Sequence, residues 1–187
     1  MNQGQVPQAV EFFSKAVQLR PGLWEAHLNL AMALEKHGDS SRAMTSYTEA
    51  LRLQPNSFSA HLHLGNLLAD RGDLMTAMKH YSDAARAQPE TALAEFNESV
   101  RAHPQDTLAH FKLANALAAL NHRTEAVESL RQAVRLKTDF WEARYLLGVE
   151  LATQEKLREA QEQFLEVVRL RPDFALSHLN LGVALAK

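Results

Sequence analysis

Apolar positions recur along this chain at spacings of three and four, the period of one helical face. Leu30, Leu64, Leu113, Leu147 and Leu181 form one column. Each is followed by a small residue (Ala31, Gly65, Ala114, Gly148, Gly182) and then, three positions on, by Leu34, Leu68, Leu117, Leu151 or Leu185. The small residue lets a second helix approach closely. Segments of another type carry Ala9, Ala43, Ala77, Ala92, Ala126 and Ala160. Four residues later stand Phe13, Tyr47, Tyr81, Phe96, Leu130 and Phe164, and three beyond those Ala16, Ala50, Ala84, Ser99, Ala133 and Val167. Small and large side chains therefore alternate on one helical face. Gly38-Asp39-Ser40 and Gly72-Asp73 read as a helix stop followed by the next N-cap.

These columns return at a fixed interval. Pro21, Pro55 and Pro89 stand 34 residues apart, as do Pro104, Thr138 and Pro172. One unit is thus a helix of about 13 residues, a short turn, a helix of about 14 and a closing proline. A unit of that size cannot bury its own apolar face and must stack on its neighbours. The expected fold is all-α, with about 11 helices in antiparallel pairs forming one solenoid over residues 1–187. Thr138 in place of a closing proline costs little, because proline there only ends a helix.

The frame breaks once. Only 15 residues separate Pro89 from Pro104, and residues 92–104 carry second-helix columns with no first helix before them. The predicted sub-blocks are 1–91 (the second helix of a partial repeat, then repeats 24–57 and 58–91), a one-helix repeat at 92–106, and 107–187 (repeats 107–140 and 141–174, then a lone first helix). Either the unpaired helix is genuine and kinks the array around 88–106, or residues have been lost from the chain there. Met1–Gln5 enters at the close of a first helix and the sequence stops within another, neither with a polar cap. This predicts a fragment of a longer array or end-to-end association.

On these columns the sequence resembles the tetratricopeptide repeat family along essentially its whole length. The shared pattern is leucine, small residue, aromatic, alanine, aromatic, alanine and proline over 34 residues. The resemblance implies a right-handed superhelix whose first helices line a concave groove for a peptide or partner protein. Carried over by frame, the candidate groove residues are Asn29, Met32, His63 and Asn66, then Leu108, Phe111, Lys112, Asn115, Glu142, Tyr145, Leu146, Val149, Leu179 and Asn180. Glu25, Leu28, Lys36, Ser59, Leu62, Asp70, Leu176 and Val183 share those faces.

Leu28 and Leu62 stand where chaperone-binding relatives place the lysine that clamps a carboxylate, which disfavours that partner class. The His-Leu-Asn-Leu strings at Asn29 and Asn180 match the asparagine ladder of O-linked N-acetylglucosamine transferase repeats, interrupted here by His63, Lys112 and Leu146. The second block is the more apolar, so its groove is the favoured surface. Phe111→Ala with Tyr145→Ala is expected to weaken partner capture with helical content intact.

Composition narrows the function further. Hydrophobic residues at 46% and charged residues at 22% describe a chain that folds. Twenty basic against 22 acidic residues provide no global field for nucleic acid or an anionic membrane. With no cysteine there is no disulfide or thiolate metal site, and no secretion signal or membrane span is legible, so a soluble protein of open compartment is expected. No nucleophile, phosphate-loop or metalloprotease spacing occurs, and no cofactor is implied.

His27, His61, His110 and His178 share one column, with Arg144 in the remaining unit. Successive helices sit about 8–10 Å apart, too far for ligands at about 2 Å from a shared metal, so a half-buried packing role is expected. Trp24 and Trp141, at equivalent helix entrances, read as staples onto the preceding unit. Arg131, Arg135, Arg169 and Arg171 alternate with Glu128, Glu162 and Glu166, the pattern of a solvated mixed-charge face. The resulting reading is a non-catalytic interaction scaffold. Its alternatives are the substrate-recruiting arm of a larger enzyme such as a glycosyltransferase, and a self-assembly module working through uncapped ends.

Overall fold

Alternating small and large residues on each helix produce a chain of helical hairpins. The computed structural model describes residues 5–187, and the expected close of a first helix at Met1–Gln5 lies, apart from Gln5, outside them. Eleven helices are seen among the described residues. They are α1 (Gln5–Leu19), α2 (Trp24–His37), α3 (Ser40–Leu53), α4 (Phe58–Asp70), α5 (Leu74–Ala87), α6 (Pro89–Ala102), α7 (Thr107–Ala119), α8 (Arg123–Leu136), α9 (Trp141–Thr153), α10 (Leu157–Leu170) and α11 (Ala175–Leu185). The chain divides into two compact units, one ending at Ala87 and the other starting at Gln88.

In the first unit α2 pairs with α3 and α4 with α5, while α1 packs on α2. In the second, α7 pairs with α8 and α9 with α10, flanked by α6 and α11. The two cores are built from the predicted columns. Ala43, Tyr47 and Ala50 are wholly buried, as are Ala77, Tyr81 and Ala84, and Ala160, Phe164 and Val167 fill the same places at most 1% exposed. The glycine of the first helix explains how the aromatic fits. A Cβ added to Gly65 would stand 2.7 Å from Tyr81 Cε1, and one added to Gly148 would stand 2.6 Å from Phe164 Cε1.

First helices end in the same way in both units. Gly38 takes φ 87° and Gly72 φ 81°, and the residue after each sends its N–H back to Leu34 or Leu68 at 2.9 Å. In the second unit the left-handed positions are held by Asn121 (φ 64°) and Glu155 (φ 60°), closed by His122 N–H to Leu117 O at 2.8 Å and Lys156 N–H to Leu151 O at 3.0 Å. Glycine is thus replaced where only the hydrogen-bond pattern, not the residue, is retained. Asp39, Ser57, Asp73 and Asp106 cap the helices that follow them.

The frame break takes the form of a complete helix. One residue, Gln88, separates α5 from α6, and Pro89 opens α6 at a position where its missing N–H is no loss. Ala92 and Phe96 are buried as second-helix columns require. No first helix lies between α5 and α6.

Candidate functional site

The first unit carries an open cleft of about 680 Å³. Val6, Ala9 and Phe13 of α1 form one wall, Met32 and Ala33 of α2 the other, and Asn29, Glu35, Lys36 and His63 provide polar edges. The walls arise from local pattern. α1 presents a second helix's small-aromatic face, and no first helix among the described residues covers it. Met32 is 41% exposed although it sits beside the wholly buried Ala31.

The edge is organised around Glu35. Tyr47 donates its hydroxyl to Glu35 Oε2 at 2.5 Å. Burial, and then this carboxylate, hold the Tyr47 phenol far above its ordinary pKa, so it remains a donor. His63 stacks on Tyr47 with ring centroids 5.6 Å apart and planes 9° apart. Its Nδ1 lies 3.1 Å from the same Glu35 oxygen but outside hydrogen-bonding alignment. The result is an apolar trough with an acid, an imidazole and a lysine at its rim.

The structure separates the expected groove residues into three groups. Asn29, Met32 and His63 come together at the cleft. Leu108, Lys112 and Val149 are half-buried, and Leu179 is exposed on α11. The rest are committed to the protein itself. Phe111 is wholly buried against Phe140, with ring centroids 5.0 Å apart. Asn115, 1% exposed, returns its amide to Phe111 O at 2.7 Å. Leu146 and Glu142 are also buried, and burial raises the Glu142 carboxyl above its usual range. Asn66 accepts from the Tyr81 hydroxyl at 3.3 Å, and Asn180 donates to the Tyr145 hydroxyl at 3.2 Å.

Much of the second block's apolar character is therefore core, while Leu176, Leu179 and Val183 of α11 remain exposed. Tyr145 packs edge-on against Phe174 at 5.0 Å, and Trp141 does the same at 4.9 Å under the Arg171 guanidinium. Trp141 thus packs at the entrance of the following helix, α11. The α1 wall, by contrast, was missed. Its signal was present in the sequence as a second-helix pattern with no first helix to cover it.

The histidine column has a specific role. His27, His61, His110 and His178 place Nε2 2.9–3.0 Å from the carbonyl oxygens of Pro21, Pro55, Pro104 and Pro172, six residues earlier. A carbonyl only accepts, so Nε2 carries the proton in each. Arg144 Nε makes the same bond to Thr138 O at 2.9 Å. Each unit is thereby clasped to the loop that enters it. His61 and His63 point to different sides, His61 to His80 (Nδ1 to Nδ1, 2.9 Å) and His63 to Tyr47.

The charged residues pair with one another, Arg131 of α8 with Glu159 of α10 at 2.6 Å, Arg169 with Glu166 within α10 at 2.9 Å, and Arg171 with Asp173 just beyond it at 3.2 Å. Among the described residues no group of three or more His, Asp or Glu side chains is arranged to hold a metal ion. None of the described helices is long and apolar enough to cross a membrane.

A profile of the tetratricopeptide repeat family matches residues 28–92, 85–139, 111–157 and 145–187. TTC0263, a thermophilic TPR protein of Thermus thermophilus, is similar in structure, with 22% identity, 98% of this chain and 92% of that chain covered, and a TM-score of 0.51. The hetero-tetramer Cut9–Hcn1 of the APC/C matches at 17% identity over 97% of this chain and 40% of that chain, also with a TM-score of 0.51. Both likenesses are of fold. YrrB, described as a TPR protein with an unusual peptide-binding site, aligns at 24% identity over 90% of this chain and 97% of its own, with a TM-score of 0.48. No curated protein matches the sequence.

Proposed function

The chain belongs to the tetratricopeptide repeat family, and from that premise we propose that it is a non-catalytic scaffold that binds a polypeptide segment in the cleft between α1 and α2. The observation that carries this reading is the cleft itself, about 680 Å³ with apolar walls and polar edges. A rigid trough of that chemistry suits an amphipathic segment that buries apolar side chains against Phe13 and Met32. Stacked helices hold both walls before the ligand arrives, which lowers the ordering cost of binding. Glu35, Lys36 and His63 place polar and ionisable groups along the edge.

Finer likeness to O-linked N-acetylglucosamine transferase repeats would need asparagine amides free to hold a peptide backbone. With Asn180 bonded to Tyr145, only Asn29 supports that role.

Selection from a random-peptide display library on the intact chain, followed by anisotropy titration, tests the proposal. Recovered peptides are expected to lose at least about ten-fold in affinity, about 1.4 kcal/mol, on Met32→Glu. Peptides indifferent to that change would remove the cleft as the site.

A further inference from the structure

The clasp column of the first helices has a counterpart on the second helices, 19 positions further along. By that register His27 answers to Ser46, His61 to His80, His110 to Ser129 and Arg144 to Gln163. One of these four pairs brings two imidazoles together. His61 of α4 and His80 of α5 approach Nδ1 to Nδ1 at 2.9 Å, with ring centroids 5.2 Å apart. The spacing that keeps histidines of one column apart does not separate this pair.

The tautomer of His61 is set by its other nitrogen. Nε2 donates to Pro55 O at 2.9 Å, so in the neutral ring Nδ1 keeps its lone pair and aims it at His80. A carbonyl that fixes both the tautomer and the orientation of a ring is the outer-shell arrangement of a metal-binding histidine. Two nitrogens bound tetrahedrally at about 2.0–2.1 Å from an ion stand about 3.3 Å apart. From 2.9 Å, a separation of about 0.4 Å reaches that spacing.

The pair is open to solvent. Both rings line a pocket of about 450 Å³, framed also by Thr48 and Leu51 of α3, Leu64 of α4 and Asp83 of α5. His61 is 7% exposed and held through both nitrogens, while His80 is half-buried. Asp83 gives its carboxylate to Arg86 at 3.0 Å and so stays outside the donor set. All three helices lie within the first unit, between α2 and Gln88, so the pocket is framed by interior repeats.

We propose that His61 and His80 form a two-histidine clamp for a transition-metal ion of the zinc, nickel or copper(II) class. The ion takes the place of the proton between the rings. That proton moves from Nδ1 to Nε2 of His80, both rings stay neutral, and each gives an Nδ1 lone pair. Water from the pocket fills the remaining positions. Two imidazole nitrogens without a carboxylate select these ions over magnesium or calcium, which take oxygen ligands. The ion links α4 to α5 and stabilises the folded unit, because only folding holds the two rings together.

Calorimetric titration of Zn²⁺ into the intact, EDTA-stripped chain near neutral pH tests the assignment, with Mg²⁺ as the control. One Zn²⁺ per chain is expected, together with a rise in melting temperature that EDTA reverses. His80→Gln keeps a donor toward His61, and His61→Arg keeps the clasp in the way that Arg144 does at Thr138. Each variant should fold and bind Zn²⁺ about ten-fold or more weakly, at least the loss expected for an outer-shell partner. Substitution of the exposed His103 by Gln should leave binding unchanged. In the unsubstituted chain, Zn²⁺ should shift the ring-nitrogen NMR signals of His61 and His80. Absence of Zn²⁺ binding, a site that survives either clamp variant unweakened, or ring signals that do not move would each overturn the proposal.

Discussion

Arg144 donates from Nε to the Thr138 carbonyl oxygen at 2.9 Å, which is the bond that His110 makes to Pro104 one unit earlier. The two departures from the repeat, threonine for proline and arginine for histidine, fall in the same unit and keep one interaction. What the column selects is a donor at the right height on the helix, not an imidazole. His110→Ala should therefore destabilise the chain by about 1–2 kcal/mol in urea unfolding, since it removes a bond and leaves a carbonyl unpartnered. His110→Arg should recover most of that loss, and equal stability of the alanine and arginine variants would rule out the clasp.

Gly148 and Gly182 occupy the same column in opposite surroundings. Alanine at 148 must push the Phe164 ring away, at about 1–3 kcal/mol, against a gain of about 1 kcal/mol in helix propensity. Alanine at 182 meets nothing and keeps the gain. Thermal melts are expected to shift down for Gly148→Ala and slightly up for Gly182→Ala.

Glu155 holds a left-handed backbone at φ 60° where the first unit uses glycine. The Cβ penalty there is about 1–2 kcal/mol, partly offset by the extra freedom glycine has when unfolded. Glu155→Gly should raise stability by about 0.5–1 kcal/mol in chemical denaturation. A loss of stability would mean that the side chain contributes more than its backbone costs.

Phe111, expected at a binding surface, is a core residue. Phe111→Ala should cost about 3–5 kcal/mol by opening a cavity. A reduced unfolding midpoint would appear in the absence of any partner, so lost capture by this variant would report unfolding rather than a lost contact.

His80 is held below the ordinary imidazole pKa, chiefly by burial and next by His61, with Asp83 opposing. Because its folded pKa lies below the unfolded value of about 6.5, its contribution to stability is complete above that pH and is lost as pH falls through the folded value. Melting temperature should fall as pH drops below about 6.5. His80→Gln, which keeps a donor toward His61, should show a smaller fall, and an identical fall would exclude His80 as a source.

How much of this was legible in the sequence depended on range. Helices and their order followed from columns such as Leu30-Ala31-Leu34 and Ala43-Tyr47-Ala50, because helical period and turn chemistry are set by residues a few positions apart. The left-handed positions at Asn121 and Glu155 escaped, since the motif requires a backbone conformation that glycine only makes easier.

The sequence by itself determined that this chain folds as stacked helix pairs of the tetratricopeptide kind, and which residue types recur on each face. Only the tertiary structure decided which of those faces remain open. Phe111 and Met32 both lie on the groove-facing sides of first helices by frame, yet one is wholly enclosed against Phe140 and the other stands at a cleft beside α1. Periodicity records the direction of a side chain from its own helix. Burial depends on what the neighbouring helices place opposite it.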